Sequence, residues 1–181
     1  MYRLRRSFPT AGAAAGVAGL LALAGCSPAL DWRDVRPPGM PLVVEMPCKP
    51  DTHERRVPLA GPPVRVVLQA CDSDGQTWGL MSVDLDDPAR VGPVLSALLA
   101  AAAANIGAQA GSGQPFVVKG ATPQAGSQRV RLQGHRPQGP AVEMVVAVFT
   151  HGTRVYQMTA LGDKLQAEAV DTFLASARIN P

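Results

Sequence analysis

Apolar and polar positions divide the chain into three stretches of different character. Residues 11–24 are an unbroken run of small and apolar side chains behind Arg3, Arg5 and Arg6. Residues 27–41 show no period and hold Pro28, Pro37, Pro38, Gly39 and Pro41, the composition of a tether. From Leu42 the pattern becomes regular. Leu42 to Met46 form a short strand stopped by Pro47. Residues 56–59 and 64–70 are two further strands joined across Ala60-Gly61-Pro62-Pro63, and Asp72-Ser73-Asp74-Gly75 turns the chain into a strand over 77–85. Asp87 and Pro88 then cap a helix whose Val91, Val94, Leu95, Leu98, Ala102 and Ile106 share one face. Pro93 requires that helix to start near Gly92 or to kink in its first turn.

Residues 107–127 are rich in Gly, Ser, Gln and Pro around Phe116-Val117-Val118, which reads as a mobile loop flanking a strand. Arg129 to Gln133 alternate and predict a half-buried strand. Residues 141–149 are apolar enough for a central one. His151-Gly152 then turns into an alternating strand over 154–159. Gly162-Asp163 starts a last helix with Leu165, Ala169, Val170, Phe173, Leu174 and Ala177 on one face. Hairpin-linked strands, a helix, more strands and a second helix predict an α+β domain: an antiparallel β-sheet with two packed helices. This order over residues 42–179 resembles the PsbP/Mog1-like domains. The resemblance implies a central antiparallel sheet carrying helices on its faces, and binding in place of catalysis.

The apolar run of 14 residues is shorter than the roughly 20 of a membrane-spanning helix, and its basic start fits a signal peptide. It closes on Leu23-Ala24-Gly25-Cys26, which resembles the lipobox of bacterial lipoproteins. The resemblance implies cleavage between Gly25 and Cys26, a diacylglycerol on the Cys26 thiol, and acylation of the new amine. Ser27 in place of an acidic residue implies the outer membrane, with the domain facing the periplasm. Arg5-Arg6-Ser7-Phe8 looks like the core of a twin-arginine export motif, so that route and the general secretory route both stay open. The expected division is 1–25 as leader, 26–41 as lipidated cysteine and tether, and 42–181 as one globular domain.

Charge follows this division. Of 17 basic residues, Arg3, Arg5 and Arg6 lie in the leader, as does none of the 14 acidic ones, so the remaining 156 residues carry 14 of each. A neutral domain with two Trp, one Tyr and three Phe, the other Tyr and Phe lying in the leader, offers neither a basic stripe nor a stacking platform for nucleic acid.

Several residues invite a chemical reading. Cys48 and Cys71, in an oxidising compartment, are expected to form a structural disulfide; a redox pair would call for Cys-x-x-Cys beside a helix start. His53, His135 and His151 are too far apart in sequence for a zinc pattern and read as loop residues. Asp72, Asp74 and Gly75 begin like a calcium loop, but Val83 stands where the bidentate Glu belongs. Lys119-Gly120-Ala121-Thr122 lacks the order of a phosphate loop, and no Ser sits in a nucleophile elbow. Glu45 and Glu143 lie in apolar strands, either exposed or as a buried acid–base pair. Trp32 is placed near the membrane interface and Trp78 in the sheet. No catalytic residue, metal or cofactor is expected. The expected partners are the membrane, through lipid on Cys26, and an envelope protein; a small apolar ligand held between sheet and helix, with residues 107–127 as lid, is the alternative.

Overall fold

The computed structural model describes residues 30–109, 111–137 and 139–180. Its strands are β1 (Arg33–Val35), β2 (Leu42–Met46), β3 (Asp51–Pro58), β4 (Pro63–Ser73), β5 (Gln76–Asp84), β6 (Gln114–Pro115), β7 (Gln128–His135), β8 (Ala141–His151), β9 (Arg154–Gly162) and β10 (Arg178–Ile179). The helices are α1 (Val91–Asn105), entered through a 3-10 turn at Pro88–Arg90, and α2 (Ala167–Ala175).

Seven strands form one antiparallel sheet in the order β3-β4-β5-β9-β8-β7-β6, and β1-β2-β10 form a second, small one. The β4–β5 hairpin closes over two residues, Asp74 and Gly75, both at positive φ (51° and 71°). That is the backbone of a turn whose twist matches the strands, and it suits Asp-Gly. The fold is α+β, with antiparallel sheet and two helices.

The large sheet is covered on both faces. Alternate residues of β8 point to opposite sides: Val145, Ala147 and Phe149 enter one core, Met144, Val146 and Val148 the other. This accounts for the continuous apolar run at 144–149. On the second side α1 lays Val94, Leu95 and Leu98 against the sheet. Pro93 occupies its first turn, where an N–H has no acceptor within the helix, so no kink is needed. Asp87 accepts the Ala89 N–H at 2.9 Å and holds the entry turn. On the first side α2 and the small sheet cover Trp78, Leu80, Tyr156 and Met158. Trp78 and Phe173 meet edge to face, centroids 5.3 Å apart. The Cys48–Cys71 bond, with Cα atoms 6.0 Å apart, ties the turn after β2 to β4 and so joins the two sheets. Closing that loop stabilises the fold by roughly 3 kcal/mol in the chain-entropy account.

The structure departs from the expectations in four places. Residues 30–41, read as tether, belong to the folded body. β1 pairs with β2, Val35 is buried, and Leu30, Trp32 and Met40 pack on the first core. A three-residue strand among prolines is too short to show a period. β3 starts at Asp51 because an edge strand exposed over 51–56 is held by its ladder to β4, not by apolar alternation. Residues 116–118 are not a strand; the short strand is β6, just before them. β9 runs on to Gly162 and α2 begins only at Ala167, so Leu165 reaches the core from the connection and Ala177 from beyond the helix.

Tyr156 is fully buried, and its hydroxyl donates to the Met40 sulfur at 3.7 Å. Burial pushes it from the ordinary 10.0 up to about 12, with Arg154 opposing and Asp84 adding to the rise. Between these values the unfolded chain gives up the proton while the folded one keeps it, so stability falls as pH climbs from about 10 to about 12. Below 10 the group contributes no slope. Urea midpoints across this range are expected to decline less steeply in Tyr156→Phe than in the parent; parallel curves would refute the burial account.

Candidate functional site

An open cleft of about 580 Å³ is walled by residues 115–127 on one side and Phe149 on the other. Its position follows from how that wall is hung. β6 pairs with β7 at Gln114↔Arg129 and Pro115↔Gln128, and the Phe116 N–H donates to the Ser127 carbonyl at 3.0 Å. A tight turn follows, closed by the Ala121 N–H on the Val118 carbonyl at 3.0 Å. Gly120 sits there at φ +81°, where a Cβ would meet the Ile179 Cβ at 3.0 Å and its carbonyl at 3.1 Å. Only glycine lets the wall approach β10 so closely.

The far end of the turn is latched to the β8–β9 hairpin. The Thr122 N–H donates to the Thr150 carbonyl at 2.8 Å, and Thr122 Oγ1 accepts the Gly152 N–H at 2.9 Å. His151 Nδ1 lies 3.0 Å from the Gly120 carbonyl. The Ile179 N–H donates to the Lys119 carbonyl at 2.9 Å, binding the wall to the C-terminal strand as well. The segment expected to be a mobile lid is thus hydrogen-bonded to the sheet at both ends.

The lining is apolar: Phe116 meets Phe149 edge on at 5.8 Å, and Phe149 stacks on Tyr156 at 5.1 Å. Val117, 89% exposed, stands out from the same wall as an exposed large hydrophobic residue. Pro115, Val118, Ala121, Pro123 and Ala125 continue the surface, and the side chains lining it include no titratable one. Such a surface takes an apolar group and gives no purchase for a charge. By contrast, the space between α1 and the sheet beside Leu99, Val130, Leu132 and Val146 is about 10 Å³, too small for a ligand.

The residues singled out by sequence are dispersed. Gly25 and Cys26 lie outside the described residues. Cys48 and Cys71 are bonded to each other. His53 is on exposed β3, His135 ends β7, and His151 is in the hairpin against Gly120. Asp72 accepts the Thr77 hydroxyl at 2.5 Å and Asp74 contacts Gln166, so both carboxylates are used locally around their turn. Glu45, on the small sheet, lies 4.0 Å from Arg178; Glu143, on the large sheet, pairs with Arg131 at 3.3 Å. The two glutamates are not brought together. Lys119 to Thr122 form the turn of the cleft wall. Missed by the sequence reading were Phe149 and Thr122, whose roles depend on chain segments about 30 residues apart meeting at the hairpin.

The chain matches no protein-family model, and no curated protein matches it.

Thr122→Val keeps the shape of the latch but removes the acceptor of the Gly152 N–H. A loss of about 1 kcal/mol is expected, read as roughly fivefold faster hydrogen exchange of that amide with the global unfolding midpoint little changed. Unaltered exchange at Gly152 would mean that the latch does not hold the wall.

Proposed function

We propose that this chain is a lipid-anchored envelope protein whose α+β domain is a non-catalytic binding module, working through the apolar cleft of residues 115–127. The anchor is the diacylglycerol placed on Cys26 after cleavage behind Gly25, and the location is the outer membrane with the domain in the periplasm. The observation that carries the binding role is the cleft itself: an apolar, fixed wall with Val117 standing free beside it. A concave apolar lining of this kind suits the lodging of an apolar group from a partner. The Cys48–Cys71 bond supports an oxidising compartment. Two or more acyl chains make such an anchor stable, at about 0.8 kcal/mol for each buried methylene.

The cleft volume of about 580 Å³ favours one second reading, carriage of a small apolar ligand or lipid in that same cleft. A co-purifying mass in native mass spectrometry selects that reading, and an empty domain selects the protein partner.

Cells fed radiolabelled palmitate are expected to label the parent chain, whereas Cys26→Ala stays unlabelled and retains its leader. An unlabelled parent would end the lipoprotein reading. Independently, Val117→Asp is expected to weaken binding of a neutral naphthylamine dye about tenfold, since burying a valine contributes about 1.5–3 kcal/mol. Equal affinity in the two proteins would remove the cleft from the proposal.

A further inference from the structure

We infer that the domain is seated directly on the bilayer, with the end carrying Leu30 and Trp32 against the lipid headgroups. This rests on the lipidation of Cys26 proposed above and adds to it an orientation and a contact surface. Four residue steps separate Cys26 from Leu30, and fully extended they span at most about 14 Å.

From Leu30 onward the chain is fixed. Leu30 packs on the first core, and the Asp31 N–H donates to the Pro47 carbonyl at 2.8 Å. Arg33 pairs with Met46, and the Trp32 ring meets Trp78 edge on, with centroids 6.4 Å apart. The next residue after Pro47 is Cys48, bonded to Cys71, so the strand that receives this segment is itself pinned. The leash therefore does not lengthen without unpairing β1.

A domain of about 150 residues has a radius of gyration of about 15 Å. A leash no longer than that radius, part of it spent among headgroups, keeps the body from standing off and tumbling. The end that meets the lipid is then set by where the leash leaves, at Leu30. Trp32 is only partly buried there, and an amphipathic indole suits the headgroup zone. The exposed charges near this end are mixed, Arg33 and Lys49 against Asp31, Asp51 and Asp72. Attraction to anionic lipid is not what holds it down, so the seating should survive added salt.

The test uses the full chain isolated from the envelope, with intact mass establishing the acyl groups on Cys26; their absence would overturn the anchor, whereas fluorescence tests the seating. The lipidated protein is placed in vesicles of phosphatidylethanolamine and phosphatidylglycerol carrying a phospholipid with a nitroxide near the top of one acyl chain. The two tryptophans are the only ones in the chain and lie together, so emission reports on this one place. Strong quenching is expected, unchanged by salt. It should be largely lost when about 30 Gly and Ser residues, whose root-mean-square reach is about 30 Å, are inserted between Ser27 and Pro28. Unquenched emission in the parent, or equal quenching in parent and insertion variant, would overturn the inference.

Discussion

The structure depends on the central strands of a seven-stranded sheet being covered on both faces. Val145, Val146, Ala147 and Val148 are successive residues of β8, all wholly buried and alternating between two cores. A strand of that kind leaves no face for water, so the chain has to supply a layer on each side. α1 is one layer. The other is assembled from pieces distant in sequence: β1 and β2 near the start, α2 and β10 at the end. The Cys48–Cys71 bond holds the early pieces to the sheet, and the edge-to-face contact of Trp78 with Phe173 fixes the late one.

How much of this could be read from the chain depended on whether the reason for an element was local. β8 was legible because its doubly buried stretch, Met144 to Phe149, is apolar without a break. α1 was legible because a helix on a flat sheet repeats its apolar residues at three- and four-residue steps. The hairpin at His151-Gly152 carried its own turn chemistry. β1 and the first half of β3 were not legible, and for opposite reasons. β1 is too short to have a period, while β3 over 51–56 is exposed on both faces and so has nothing apolar to repeat. Each exists because a neighbour offers backbone hydrogen bonds, which side-chain patterns do not record.

The cleft was legible only as an absence of pattern. Gly, Pro and Gln around Phe116 gave a loop, with its short strand misplaced onto 116–118, and nothing in the loop says where it is fastened. The fastenings include backbone groups at Ser127, Thr150, Gly152 and Ile179, together with the Thr122 hydroxyl and the His151 ring. Gly120 was the one available hint. A glycine inside an apolar stretch marks either freedom or a close approach, and here Ile179 makes it the second. The paired cysteines were easier, because the compartment expected from the leader argues for their state before any geometry is known.

The sheet register sets the cleft and the tryptophan pair at different levels. Trp78 stands opposite Ala160, which stands opposite Val145; Phe149, on the cleft, is four residues further along β8, about 13 Å toward the β8–β9 turn. If that end is the foot on the membrane, as inferred above, foot and mouth occupy separate stations along one sheet. Nothing that fills the mouth has to dislodge the foot. On the proposed seating, a partner arriving from the aqueous side would meet the mouth directly, whereas cargo drawn out of the bilayer would have to climb along the sheet to reach the same door.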